Sequence, residues 1–398
     1  MLIFIRIFVN LQTIIHRDKS YMKNKMLMAI LYPHCSKRPK VRRLLTFSIL
    51  FGAMVSTSCT KDGDIIYQPD LEDQASTAPL VTVIYDPNAL GDRGYNDLIY
   101  KGVEQAARRH GLRTMQLSPT TASEGLAYLQ RMLQTMTATE DTIRRLFIVA
   151  AASYDDFIRK YNSQLEANPR TDLLYIETNT PLEGKGSTFY MPYYGAMYEA
   201  GAIAPIESPE VLLVGANPLV ETVALAIKGF TDGFESSPIA LKDKSQKKLV
   251  TAWLSDKVYG GFTVPDSTAL QLMRNQQWQS YSHLIVPVCG GAGATFQRFC
   301  ELLAIYSYVG IDCEVLSHHC NFSVVKHIDR AINRCIDQWL SPDGIPKHQT
   351  FGLADGYTEV VLHPYSDTSK STYAELLSEE TQQSIHQEAI RKEAEYEK

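Results

Sequence analysis

The sequence predicts an α/β protein made of two doubly wound lobes, each a parallel sheet covered by helices on both faces. Short apolar runs, such as residues 81–85 and 146–150, alternate with amphipathic stretches such as residues 95–110. Strands of continuous apolar character that are separated by single helices are typical of parallel sheets buried on both faces. The 398-residue chain holds more of these units than one sheet accommodates well, so we expect two lobes.

The remaining elements are predicted from the same alternation. Gly111 ends the helix at residues 95–110, because it follows at the position where a left-handed cap is needed. Further strands are predicted at residues 173–176, 211–214, 249–253, 283–288 and 307–311, and further helices at residues 219–234, 265–278, 292–306 and 322–340. Residues 367–398 are polar and rich in Glu with only a thin apolar stripe, so we expect a surface helix or tail that frays.

Composition and charge narrow the class of protein. Hydrophobic residues make up 45% of the chain and charged residues 21%, which is the balance of a globular protein rather than a disordered or fibrous one. The net charge is −5, and no basic stripe with interleaved aromatic residues runs through the body of the chain. The sequence therefore gives no indication of nucleic-acid binding.

The basic and apolar segments near the N-terminus form a targeting signal. Basic residues at 37–43 precede an apolar run at 44–55, which is followed by small residues at 56–58 and then Cys59. A charged region, a short apolar region and small residues before a cleavage point are typical of a secretory signal. The apolar run is shorter than the roughly 20 residues needed to cross a bilayer, which argues against a spanning helix.

Cys59 is placed like the acylated cysteine of a bacterial lipoprotein, although Ser56 stands where Leu or Val is usual. Ordinary signal cleavage is the alternative. We interpret residues 1–58 as the signal, including a possible misread start, and residues 59–78 as a lipid-anchored tether. The protein is therefore predicted in the cell envelope, attached to a membrane at the periplasmic face or at the cell surface.

The candidate site residues follow the ends of the predicted strands, where open α/β folds bind their ligands. The loop after the first strand carries Asp92, Tyr95 and Asn96. A role for Asp92 in capping the next helix is an equal alternative. Asp312 follows a later strand and is interpreted as a carboxylate that accepts hydrogen bonds from a ligand, with a solvent-facing acid as the alternative.

A glycine-rich turn follows another strand at residues 289–293. Its Gly291 and Gly293 allow backbone amides to approach a ligand near the positive end of the next helix. The turn lacks the full G-x-G-x-x-G spacing, so it does not indicate a nucleotide-phosphate loop.

Five cysteines remain in the body of the chain, and one of them follows two histidines, which raises the possibility of a metal site. His318, His319 and Cys320 are adjacent, but no acid or second cysteine pair stands at metal-ligand spacing, so we predict no metal site. Export permits disulfides, and a pair between Cys289 and Cys313 stays open beside free buried thiols.

Several motifs, in the same order, resemble the basic membrane protein family of solute-binding lipoproteins. The family's characterised members include purine nucleoside receptors that serve ABC transporters. The matching segments span about residues 80–362 and are residues 86–111, 189–201, 214–218, 228–234, 290–293, 309–312 and 351–356.

The resemblance implies a type I periplasmic-binding-protein fold, with three crossovers at a hinge and a ligand buried between the lobes. Lobe boundaries follow from it: residues 79–190 with part of 312–340 form one lobe, and residues 191–311 with part of 341–366 form the other.

The resemblance also implies the ligand contacts. Tyr95 and Phe262 would stack on a purine; Asn96 and Asp92 would contribute polar contacts from one lobe, and Gly291, Gly293 and Asp312 from the other. Tyr95 departs from the family's usual Phe. Ala292 and Ala294 stand where a family lysine is expected, and the plain loop at residues 150–153 offers only Ser153 and the adjacent Tyr154.

These readings predict a receptor rather than an enzyme. It would capture a small ligand, a purine nucleoside, without a cofactor, and deliver it as a monomer to an ABC-type permease. A sensor or scavenging receptor without its own permease is one alternative, and a nucleoside or sugar hydrolase is another. The sequence contains no nucleophile-elbow signature and no Walker loop.

Overall fold

The structure, a computed structural model, describes residues 65–66, 77–136, 143–163, 169–239, 247–257, 260–276, 283–303 and 305–396. The chain divides into two compact units, residues 1–61 and 62–398, and all the described residues belong to the second. The predicted signal and Cys59 lie outside the described residues, so their roles stay predictions. Within the described ranges, no helix combines the length and apolar character that crossing a membrane requires.

Strands and helices alternate along most of the described chain. The strands are β1 (Ile65–Ile66), β2 (Leu80–Tyr85), β3 (Arg113–Leu117), β4 (Arg145–Ala150), β5 (Thr171–Ile176), β6 (Ser187–Tyr190), β7 (Glu210–Gly215), β8 (Lys248–Trp253), β9 (His283–Val288), β10 (Tyr306–Tyr308), β11 (Gly310–Asp312), β12 (Phe322–Lys326), β13 (His348–Thr350) and β14 (Thr358–Leu362). The helices are α1 (Tyr95–His110), α2 (Ala122–Met136), α3 (Asp155–Tyr161), α4 (Tyr194–Ile203), α5 (Glu221–Ser236), α6 (Asp266–Arg274), α7 (Gly293–Leu302), α8 (Ile328–Leu340), α9 (Asp367–Leu376) and α10 (Glu379–Tyr396).

Seven strands form the first sheet, in the order β1-β3-β2-β4-β5-β6-β13, and every pair is parallel except β1 with β3. Both faces of this sheet are buried. In β2, for example, Val81 and Val83 enter the core on one face, and Ile84 enters the core on the other. Ile99 of α1 packs on the first side, together with α8, and Ile158 of α3 packs on the second. We call this group lobe 1.

Two further sheets build lobe 2. One is fully parallel, in the order β10-β9-β7-β8, and the other joins β11, β12 and β14. Helices α4 and α5 pack closely in this lobe, since a side chain at Gly229 would clash with the carbonyl of Tyr194 and one at Gly233 with that of Tyr198. The glycines of the segment at residues 228–234 therefore set the distance between the two helices.

The chain passes between the two groups of sheets at three places. Residues 191–193 join β6 to α4, His327 joins β12 to α8, and residues 351–357 join β13 to β14. The predicted arrangement of two layered α/β parts is confirmed. The residue boundaries assigned to the lobes from sequence stay a prediction.

The helix predicted at residues 322–340 is wrong over its first five residues, which form strand β12. This strand is held on both sides, by β11 in parallel and by β14 in antiparallel pairing. Phe322 and Val324 enter the core of lobe 2, and the helical spacing belongs to α8 alone. The strand predicted at residues 307–311 likewise divides at Val309, so that β10 and β11 lie in different sheets.

The C-terminal segment, expected to fray, forms helices α9 and α10, and the latter docks on lobe 2. Ile385 and Ala389 are buried there. The buried carboxylate of Glu393 accepts hydrogen bonds from the amides of Gly195 and Leu353, at 2.8 Å each. The helix is therefore held by its few apolar residues and also by the hydrogen bonds of Glu393 to the backbone. The hydrophobic pattern of the sequence does not reveal these hydrogen bonds.

All five cysteines in the described residues are free, namely Cys289, Cys300, Cys313, Cys320 and Cys335. Burial, together with the nearby carboxylates of Asp312 and Asp92, raises the pKa of the Cys313 thiol to about 11. Its sulfur lies 3.2 Å from the carbonyl oxygen of Arg93, to which the thiol donates, so this cysteine joins a lobe 1 loop to the end of β11.

Candidate functional site

The loop between β2 and α1 is organised by the carboxylate of Asp92. One of its oxygens accepts from the amide of Gly94 at 2.9 Å, and the other accepts from the amide and side chain of Asn96 at 3.0 and 2.8 Å. These bonds satisfy donors that the first turn of a helix leaves unpaired. The structure thus shows the capping role of Asp92, while contact of Asp92 or Asn96 with a ligand stays a prediction.

Tyr95 begins α1 at the centre of a cluster of acids. Burial raises the pKa of its hydroxyl, and the nearby carboxylates of Glu177, Asp312 and Asp86 raise it further. Because each carboxylate disfavours a phenolate, Tyr95 stays a neutral aromatic group that can donate a hydrogen bond.

Ser153 lies beside this cluster and already has a partner. Its hydroxyl donates to the carboxylate of Asp86, which follows β2 directly. Burial raises the pKa of Asp86, and the bond from Ser153 opposes that rise. Ser153 therefore acts on the acid next to Tyr95, and its predicted contact with a ligand stays a prediction.

Asp312 ends β11 with a left-handed backbone, at a φ of 68°. Its amide donates to the hydroxyl of Tyr193 at 3.1 Å, and that hydroxyl donates to the carbonyl of Val324 at 2.9 Å. Burial, opposed by Lys326 and reinforced by Asp92 and Glu177, raises the pKa of the Asp312 carboxyl to about 6. Non-glycine residues in this conformation are costly and are enriched at functional sites.

Lys326 is the cation of the cluster. Its ammonium group lies 2.6 Å from a carboxylate oxygen of Glu177, and only 4% of the lysine side chain is exposed. The same group lies 4.9 Å from the ring centre of Tyr193 and 5.6 Å from that of Tyr95. At these distances a cation is attracted to an aromatic face. Lys326 therefore connects the carboxylate of Glu177 to the rings of Tyr95 and Tyr193.

The glycine turn of lobe 2 lies against Phe262 and opposite Asp92. A Cβ atom built on Gly290 would be 3.1 Å from the ring of Phe262, and one built on Gly291 would be 3.3 Å from the Phe262 carbonyl. The same atom on Gly291 would be 3.9 Å from Cβ of Asp92, and a Cβ atom on Gly94 would be 3.9 Å from Cβ of Asp312. Loops from the two lobes therefore meet face to face.

Most of the residues predicted from sequence come together here. Asn96 donates a hydrogen bond to Asp92, and Gly291 lies close to both Asp92 and Phe262. Tyr95 and Asp312 lie near enough to the carboxylate cluster for its charges to raise their pKa values. Gly293 is different: it begins α7, and a Cβ atom built on it would lie 3.4 Å from the carbonyl oxygen of Pro287 in β9. The role of each residue toward a ligand stays a prediction.

Three residues of the cluster were missed from the sequence: Glu177, Tyr193 and Lys326. Glu177 directly follows β5, so the strand-end rule applied to the other loops identifies it. Lys326 was hidden because the segment at 322–340 was predicted as one helix. Tyr193 lies in a segment rich in aromatic residues, and nothing local distinguishes its hydroxyl from those of its neighbours.

The adjacent histidines and cysteine considered for a metal have other partners. A ring nitrogen of His319 lies 3.1 Å from the carbonyl of Tyr306, and the ring of His318 packs on Tyr365 with centres 3.4 Å apart. Cys320 is buried. The described part of the chain holds no group of three or more side chains that could bind a metal ion.

Comparison with solved structures identifies the fold. An ABC transporter system solute-binding protein from Aeropyrum pernix K1 matches with a TM-score of 0.63 and 15% identity, covering 79% of this chain and 92% of that one. A similar protein from Conexibacter woesei matches with a TM-score of 0.55 and 11% identity, over 80% and 97% of the two chains. The fold is that of the type I periplasmic-binding proteins.

The predicted fold class is thus confirmed, but this fold serves more than one function. A transcriptional activator of the comK gene from Bacillus halodurans matches with a TM-score of 0.56 and 12% identity, over 75% of this chain and 95% of that one. No protein-family model matches the chain, and a search of curated proteins finds no match. The function of this periplasmic-binding fold must therefore be argued from its site.

Proposed function

We propose that this chain is a solute-binding receptor that encloses a purine nucleoside between its lobes and delivers it to an ABC-type importer. The observation that carries the proposal is the meeting of loops from both lobes around Tyr95, with Phe262 and Gly291 opposite Asp92. The solute-binding proteins among the structural neighbours support it, as do the sequence motifs that resemble those of the basic membrane protein family.

The site offers both kinds of contact that a nucleoside needs. Tyr95 and Phe262 supply aromatic faces, each contributing about 0.5–1.5 kcal/mol beyond the burial of its area. Asp312 supplies an acceptor for ribose hydroxyls or base N–H groups. A ligand without those donors would leave a buried carboxylate unpaired, so the site can discriminate among ligands of similar size.

Receptor function requires that the ligand be held and released unchanged. The three connections between the lobes, at residues 191–193, His327 and residues 351–357, are the segments about which the lobes would open. Closure excludes water and creates an outer surface that a permease can recognise. Anchoring through a diacyl group on Cys59, with residues 59–78 as the tether, would hold the receptor at the membrane.

Binding measured by calorimetry tests this proposal. Titration with inosine, guanosine and adenosine is expected to show binding, and Phe262→Ala is expected to weaken it by about 1–3 kcal/mol, a 5- to 150-fold rise in Kd, because one stacking face is lost. Tyr365→Ala removes an exposed aromatic that packs on His318 and serves as the matched control.

Two results would overturn the proposal. One is the absence of binding by every nucleoside tested. The other is release of free base during incubation, detected by chromatography, since a receptor returns its ligand intact and a hydrolase does not.

A further inference from the structure

Glu177 is a carboxylate in the candidate site that has an unused hydrogen-bonding oxygen. Its Oε2 atom receives the hydrogen bond from Lys326 at 2.6 Å. Its Oε1 atom is buried and receives no hydrogen bond. Burial raises the pKa of the carboxyl, while the charge and hydrogen bond of Lys326 and a weaker interaction from the backbone amide of Met191 oppose that rise.

The backbone of Glu177 adds a second cost to this position. Its φ of 62° lies in the left-handed region, directly after strand β5. The buried acceptor without a donor disfavours the ligand-free state, and the left-handed backbone is a cost of the fold; such features persist mainly where function requires them. With this backbone, the carboxylate of Glu177 lies 2.6 Å from the ammonium group of Lys326, which is 5.6 Å from the ring centre of Tyr95.

The charges around Glu177 are unbalanced. Four carboxylates act on Tyr95 or on one another, namely Asp86, Asp92, Glu177 and Asp312. Lys326 is the one buried lysine or arginine in the described part of the chain, and Glu177 already pairs with it. A further negative charge brought into this site would therefore meet uncompensated carboxylates in a partly desolvated environment.

We propose that Glu177 determines specificity: its free Oε1 accepts a hydrogen bond from an N–H or O–H group of an uncharged ligand, and the acidic cluster excludes ligands that carry a phosphate. The inference rests on the proposed function, since it concerns the same site, and it names the ligand class as the nucleoside and not its monophosphate.

Paired ligands that differ only by a phosphate test the inference. Kd is measured by calorimetry on the purified full-length protein for inosine and inosine 5′-monophosphate, and for glucose and glucose 6-phosphate. The unphosphorylated member is expected to bind at least about 100-fold more tightly, because Lys326, the buried cation of the described site, already pairs with Glu177.

Two variants separate the hydrogen bond from the charge. Glu177→Gln removes one negative charge and is expected to weaken inosine binding by about 10-fold and to narrow the ratio between inosine and its monophosphate. Glu177→Asp keeps the charge but withdraws the oxygen, so it is expected to weaken inosine binding while the ratio is retained. Glu388→Gln removes the same charge from an exposed ion pair on α10 and is the control.

Each outcome decides between the claims. A monophosphate that binds as tightly as its partner overturns the inference, as does an unchanged ratio in Glu177→Gln with a normal melting curve. If only the glucose pair binds and shows the expected ratio, the nucleoside assignment fails in both proposals, and only the exclusion of phosphate by the acidic cluster stands. If no ligand binds at about 1 mM, both are overturned.

Discussion

At the scale of the residue, Asp312 combines a strained backbone with a carboxylate that is difficult to ionise. Its φ of 68° is held by the hydrogen bond from its amide to Tyr193. Burial raises the pKa of the carboxyl to about 6, above its ordinary value of 3.8. The charged groups that face it are Lys326, Asp92 and Glu177. Folding therefore disfavours its ionised form, and the penalty is present above pH 6 and absent below pH 4.

Ligand affinity is expected to depend on pH through this carboxyl. If Asp312 accepts a hydrogen bond from the ligand, protonation removes the acceptor, so Kd should rise by up to about tenfold per pH unit as the pH falls below 6. Calorimetry with inosine between pH 5 and 8 measures the slope. Asp312→Asn should bind more weakly at pH 7.5 and lose most of the dependence. A wild-type profile that is flat across this range contradicts the role assigned to Asp312.

Other residues of the site show what local reasoning can and cannot predict. The position of Asp92 before α1 indicates a cap, and the structure shows the cap. Ser153 was selected because it follows β4, yet its partner Asp86 comes from a different strand. The strand-end rule places residues at one edge of a sheet, but it does not say which neighbours they contact.

At the scale of the element, the last helix shows how a polar segment becomes part of the fold. Helix α10 is mostly polar, but Glu393 reaches the amide of Gly195, just after the connection at residues 191–193, and the amide of Leu353, within the connection at residues 351–357. A carboxylate that accepts two backbone hydrogen bonds is held more firmly than one exposed to water. Glu393 therefore ties the C-terminus to the hinge.

Glu393→Gln is expected to lower the free energy of unfolding by about 1–3 kcal/mol, because an amide replaces a carboxylate that receives two charge-assisted hydrogen bonds. Urea unfolding followed by circular dichroism measures this. Glu388→Gln, on the exposed face of the same helix, should change stability by no more than about 0.5 kcal/mol. Equal effects of the two substitutions would show that the buried bonds of Glu393 contribute nothing specific.

At the scale of the whole molecule, the faces of the two lobes lie close together: a Cβ atom built on Gly291 would be 3.9 Å from Cβ of Asp92, and one built on Gly94 would be 3.9 Å from Cβ of Asp312. Such contacts are those of a closed arrangement, and a ligand can shift the protein toward it only by binding that arrangement more tightly. If the protein is a receptor, the lobes would open about the three connections between them.

Addition of inosine is therefore expected to decrease the radius of gyration measured by small-angle X-ray scattering. Phe262→Ala, studied at the same inosine concentration, should show a smaller decrease because fewer molecules are occupied. A radius that is unchanged at saturating inosine, with binding shown by calorimetry, contradicts the closure mechanism.

The sequence by itself determined the alternation of strands and helices, the two layered α/β parts and the loops that carry Asp92, Tyr95 and Asp312. These depend on periodicity and on turn residues, which are local properties of the chain. Only the tertiary structure decided that Lys326 meets Glu177, 149 residues away, and that residues 322–326 form a strand. The reason is physical: a pairing between distant segments depends on how sheets are assembled, and no short stretch of sequence contains that information.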